Sequence, residues 1–495
     1  MDDWRAGLIR AATMLLADID VRDPFGLSSS THDRRATWFG DGATLPSMFP
    51  ILRRSPARMR IWRRRYLGDR TSLVIISVLI GLLSSLCAVA LKKGVHLTTG
   101  LANRILFSGD HSWLVLFIPC IGILASVWIT RFFLKGDLER GLPNLLKDVN
   151  LNAGVVPRHK VWSQVVTSIV TMGMGGSAGL EAPLAITGAA IGSNTARWFR
   201  FGTAERMLLL ASGAAAGVSA IFNAPIAGTV FALEILLVNN AMTLVVPVLI
   251  ASASATLLSS LINFGQPFVL ITDSWSAASL PYYVLLALLG AVVAVYTIRA
   301  AKLIAARMVR VTNPWSKAVL GSLLLGVMIF FFPPLFGEGY DSVRLLLARD
   351  AGALAYLAPV QLDLGAWSIV LLAIGLLLFK VVAASLTINA GGNGGMFGPA
   401  LFVGAMFGFS FARAVNLMGI AQLNEVNFTV VGMAAVLSGT IHVPLTAIFL
   451  IAEITGGYAL FVPLMIVAAL SFLVSKYLNG HSIYGVPPTS AESTP

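Results

Sequence analysis

The chain has 495 residues, 57% of them hydrophobic and only 12% charged, with a mean hydropathy of +0.82. That is more apolar surface than one soluble core can hide, so a water-soluble globular protein is excluded and the bilayer must be the solvent. The net charge of +12 draws on eight arginines between Leu52 and Arg70, a cluster that membrane topology explains without nucleic acid as a partner.

Residues 1–70 read as a basic N-terminal arm on the cytoplasmic side, because a positive run beside the first span stays inside. Asp2, Asp3 and Arg10 argue against a secretory signal. Predominantly apolar spans follow at Thr71–Leu91, Ser112–Thr130, Ala241–Ile262, Tyr282–Ile298 and Trp367–Leu386, the last carrying Lys380. At 1.5 Å rise per residue these can cross roughly 30 Å of hydrocarbon. Other apolar stretches are shorter and broken by Gly or Pro. Irregular backbone at membrane depth needs protein or a water-filled cavity around it, so the breaks mark a site. After Tyr484 comes a short polar tail, 485–495, read as disordered.

The breaks repeat. Gly175 to Pro183 (GGSAGLEAP) aligns with Gly391 to Pro399 (GGNGGMFGP) at an offset of 216, placing Glu181 opposite Phe397. Gly213 to Ile235 aligns with Gly432 to Ile454 at an offset of 219, matching Pro225 with Pro444 and Glu234 with Glu453. Two halves, 71–265 and 266–484, read as a transporter or channel built by duplication.

Three places join glycine to proline at a helix start: Arg140-Gly141-Leu142-Pro143, Gly179-Leu180-Glu181-Ala182-Pro183 and Gly395-Met396-Phe397-Gly398-Pro399. Proline suits the first helical turn, and glycine lets backbone amides come close to a ligand. A single instance reads as loop punctuation. Three, two of them related by the repeat, read as helix N-termini presenting unpaired N–H groups and partial positive charge, which suits an anion and repels a cation. Cys87 and Cys120 sit in apolar spans, and the six histidines show no metal-ligand spacing. No metal, cofactor or enzyme chemistry is therefore expected.

These residues resemble the CLC family of chloride channels and chloride/proton antiporters, over roughly residues 70–487. Gly179 to Pro183 looks like the family's G-x-E-x-P motif and Gly395 to Pro399 its G-x-F-x-P motif. Asn223 to Gly228 (NAPIAG) looks like its N-A-P-x-A-G helix start, and Ser482-Ile483-Tyr484 carries its inner tyrosine. The resemblance implies an all-α integral membrane fold of two inverted-topology repeats, with broken and tilted helices, and a homodimer with one anion pathway per subunit. It implies Glu181 as a gating carboxylate that competes with chloride until protonated. It also implies an anion path along Arg140, Gly141, Leu142, Pro143, Gly179, Leu180, Gly395, Met396, Phe397, Gly398 and Tyr484. Phe397 would act through its amide and Tyr484 through its hydroxyl.

Two departures matter. Arg140 stands where the family has serine in G-S-G-I-P; we read its guanidinium as snorkelling to the cytoplasmic surface beside Arg131 and Lys135 and pairing with Glu139, the alternative being stronger anion capture. Ile235 stands where family antiporters carry a proton-relay glutamate, while its neighbour Glu234 and the repeat mate Glu453 read as scaffold. The resulting expectation is passive or weakly proton-coupled transport of chloride or another small anion. The protein would sit in a bacterial inner membrane with both termini cytoplasmic. A chloride/proton or fluoride/proton antiporter using another proton route is the alternative, and a cation-coupled solute symporter the alternative from another class.

Overall fold

The computed structural model describes residues 69–107, 112–134, 136, 141–236, 245–262, 274–350, 352–353 and 365–485. Residues 1–68 of the basic arm, Lys135, Glu139, Arg140, the 265/266 repeat boundary and the tail from 486 lie outside the described residues, and the last two arm residues open the first helix.

The described chain is helical throughout. In order, the helices are α1 (Asp69–Phe107), α2 (Ile118–Phe133), α3 (Leu142–Leu151), α4 (Lys160–Gly173), α5 (Glu181–Trp198), α6 (Thr203–Phe222), α7 (Pro225–Ile235) and α8 (Val245–Leu261). Then come α9 (Leu280–Val309), α10 (Pro314–Phe331), α11 (Tyr340–Leu347), α12 (Ser368–Ala390), α13 (Phe397–Leu417), α14 (Glu425–Ile441), α15 (Pro444–Ile454) and α16 (Phe461–Asn479). Among the described residues, eight helices are long and apolar enough to cross a membrane. The first apolar span grows to 39 residues in α1, far longer than a perpendicular crossing requires. The span at Ser112–Thr130 divides into a 3-10 turn, Ser112–Leu116, and α2, whose start carries Pro119.

Local features recur between the two halves at the sequence offset. α7 and α15 are both 11 residues, about 16 Å at 1.5 Å per residue, and so reach only halfway through the hydrocarbon. Each begins at proline two residues after a left-handed residue, Asn223 (φ 53°) and its mate His442 (φ 65°). Such a residue ends the preceding helix and turns the chain before proline starts the next.

Close helix crossings repeat as well. A Cβ on Gly188 of α5 would stand 1.9 Å from the Gly213 carbonyl of α6, and one on Gly404 of α13 would stand 2.5 Å from the Gly432 carbonyl of α14. Only glycine lets these backbones touch. The result is an inverted-repeat helical membrane fold with its Gly-rich breaks buried at the centre.

Candidate functional site

The site begins with a reciprocal pair of backbone hydrogen bonds. The Gly179 N–H donates to the Gly395 carbonyl at 2.9 Å, and the Gly395 N–H donates to the Gly179 carbonyl at 2.8 Å. Flanking bonds obey the same symmetry: the Ser177 amide donates to Thr387 Oγ1 at 3.0 Å, and the Asn393 amide to Thr171 Oγ1 at 3.1 Å. Reciprocity of this kind is what a two-fold relation produces. It brings the start of α5, at Glu181, against the start of α13, at Phe397.

Both helix starts therefore present orphan N–H groups and partial positive charge to one small region. Glu181 fills it. Its side chain is 2% exposed, and Oε1 accepts a 2.8 Å hydrogen bond from the Tyr340 hydroxyl. The carboxylate lies against its own amide and that of Gly398. Oε2 nevertheless makes no hydrogen bond of good geometry. Burying such an oxygen costs free energy unless something polar or charged is to meet it.

Phe397 is 1% exposed, its ring packed between Phe222 (centroids 5.8 Å apart) and Phe231 (6.2 Å), so its side chain faces aromatic neighbours while its backbone opens α13. The Tyr484 hydroxyl accepts from the Met396 amide at 3.3 Å, bringing the C-terminal end of the second repeat to the same turn. Gly179, Leu180, Glu181, Gly395, Met396, Phe397, Gly398 and Tyr484 are thus assembled in one place.

Gly141 caps α3 at φ 79°, Leu142 is buried and Pro143 lies in the first turn, a third helix start carried by a helix that packs on α5. Ile235, the last residue of α7, is half-buried against the main core.

Three side chains of the site escaped the sequence reading, Glu338, Tyr340 and Lys92, as did the partners of Lys380. Lys380, fully buried in α12, donates from Nζ to the carbonyls of Gly337 at 2.8 Å and Leu335 at 3.3 Å. Lys92 of α1 donates to the Ile221 carbonyl near the end of α6. The signal that could have found the acid and the tyrosine is the Gly337-Glu338-Gly339-Tyr340 string between two spans.

Inverted repeats, half-length helices and two facing helix N-termini around a buried carboxylate define a multi-pass membrane transport protein built for anions. Residues 121–476 match the voltage gated chloride channel family, and the chain belongs to it. It is 27% identical over 384 residues to a putative chloride channel protein ClcB-like from Ralstonia nicotianae, covering 75% of this chain and 85% of that one. It is 29% identical over 445 residues to the H(+)/Cl(-) exchange transporter ClcA of Vibrio cholerae, covering 84% and 89%. Among solved structures, a slow cyanobacterial Cl-/H+ antiporter shares the fold at a TM-score of 0.71 and 22% identity, covering 83% of this chain and 96% of that one. The protein is therefore a CLC-type anion transport protein and not an enzyme.

Proposed function

We propose that the protein passes chloride down its gradient, gated by Glu181, with little or no stoichiometric proton transport. The gate rests on one observation: a buried carboxylate lying against the first amides of α5 and α13 where the two helix starts meet. An anion and a charged carboxylate want the same amides, and a proton on Glu181 removes the competition. The lack of coupling rests on Ile235, which cannot carry a proton, and on Glu234, whose oxygens are both engaged by the start of α15. The working unit in this reading is a homodimer with one pathway per subunit, in a bacterial inner membrane with both termini cytoplasmic.

Exchange of chloride for protons is the second reading, favoured by the names of the Vibrio relative and the cyanobacterial structure. Protons would then pass by a route other than position 235. Proteoliposomes given a chloride gradient, with voltage clamped by potassium and valinomycin, separate the two. Internal pH should stay nearly flat as chloride leaves. Sustained uphill proton movement at a fixed ratio to chloride would replace the first reading with the second.

A further inference from the structure

Glu338 has no role in the reading above, yet it shares a helix start with Glu181. It lies on the connection between α10 and α11, between Gly337 (φ 61°) and Gly339 (φ 83°). This connection is pinned from behind by the two Lys380 hydrogen bonds, and the Lys380 ammonium stands 5.0 Å from the Phe402 ring centre. Gly339 is pressed on the same ring, where a Cβ would approach within 2.7 Å. A loop held in this way presents Glu338 in a defined direction.

That direction is toward α5. Glu338 Oε1 accepts a hydrogen bond from the Leu180 amide at 3.3 Å. Leu180 is the N-cap of α5, immediately before Glu181, so two carboxylates are anchored at one helix start. They differ in access. Glu181 is sealed, whereas Glu338 also lines a cavity of about 530 Å³ with Tyr340, Asp341 and Arg344. An anion coming from that cavity meets Glu338 first.

We propose that Glu338 is a second titratable competitor at the mouth of the anion pathway: charged, it holds the Leu180 amide and keeps anions from the α5 start, and protonated, it lets them in. The pathway itself is taken from the proposed function. The groups facing Glu338 are Glu181 on α5, Lys92 on α1, Lys380 on α12, and Tyr340, Asp341 and Arg344 on α11. Burial, and then the charge of Glu181, push the Glu338 carboxyl above the usual carboxylate range, while Lys92, the Leu180 amide and Lys380 pull it back. Below its raised pKa Glu338 is neutral and does not compete; above it the carboxylate returns. Anion flux should therefore decline as pH rises through a range above that of an ordinary glutamate.

The test is chloride efflux against pH from proteoliposomes holding wild type, Glu338→Gln, Glu181→Gln or both. Calorimetric chloride titration of the same proteins in detergent accompanies it. Glu338→Gln should remove the decline at alkaline pH and raise chloride affinity at about pH 9, one unit above the Glu338 pKa of about 8, by about tenfold. In the Glu181→Gln background, the residual pH dependence should vanish when Glu338→Gln is added. Glu338→Ala, which makes no demand on the Leu180 amide, should act in the same direction and serves if the glutamine variant does not fold. Wild-type pH profiles and affinities in both Glu338 variants would overturn the proposal. Loss of the alkaline decline in Glu338→Gln, with Glu181→Gln still titrating as wild type, would uphold Glu338 and reject Glu181 as the gate.

Discussion

Glu234 and Glu453 cap each other's repeat. Glu234 Oε1 accepts from the Leu445 amide at 2.9 Å, and Oε2 accepts from the Thr446 amide at 2.8 Å and the Thr446 hydroxyl at 2.6 Å, all at the start of α15. Glu453 returns the arrangement at the start of α7, accepting from the Ile226 amide at 3.0 Å and the Ala227 amide at 2.8 Å. The first N–H groups of a short helix at membrane depth have no water to turn to, and a carboxylate satisfies both the donors and the dipole. An acid inside a membrane is a functional suspect by default, but here each carboxylate is fully occupied by a partner helix.

Removing one cap should therefore cost stability more than transport selectivity. Glu453→Ala leaves two amides of α7 unsatisfied and should destabilise the protein by about 1–3 kcal/mol. Thermal unfolding in detergent measures this. An unchanged midpoint would mean that the caps contribute nothing.

Glu181→Gln keeps the shape of the side chain and removes the charge that competes for the α5 and α13 amides. Chloride flux should hold or rise, and much of its pH dependence should go. Flux through proteoliposomes at several pH values reads the effect; a folded variant with wild-type pH dependence would refute the gate.

Tyr340→Phe deletes the 2.8 Å hydrogen bond to Glu181 Oε1, a bond that favours the charged carboxylate. With that support gone, Glu181 should take a proton more readily and leave the site at higher pH. The pH of half-maximal flux should move up by about one unit. No movement would show that Tyr340 is a packing residue only.

Gly395→Ala tests the crossing of the repeats. The added methyl would lie 2.6 Å from Ala182 Cβ, forcing apart the two chains joined by the paired Gly179 and Gly395 bonds. Overpacking of this kind should cost about 1–3 kcal/mol, and anion flux should fall as the two helix starts separate. Gly457→Ala, with open space around it, is the matched control and should behave as wild type.

The features legible in the sequence were those that backbone chemistry writes locally. Proline at a first helical turn, glycine where chains touch, and an apolar run long enough to span are properties of short segments, and the repeat doubled each signal. Hence the membrane class and the helix starts at Leu142, Glu181 and Phe397 could be read before any fold was known, whereas Tyr484 was marked only by the family resemblance. The partners of these residues could not. Tyr340 meets Glu181 across 159 residues, Glu338 meets Leu180 across 158, and Glu234 reaches Thr446 across 212. Nothing in a hydropathy pattern records which carboxylate a distant hydroxyl or amide will find. Those pairings exist only because packing the two repeats against each other removes water, and each buried polar group must then bond to whatever the fold has placed beside it.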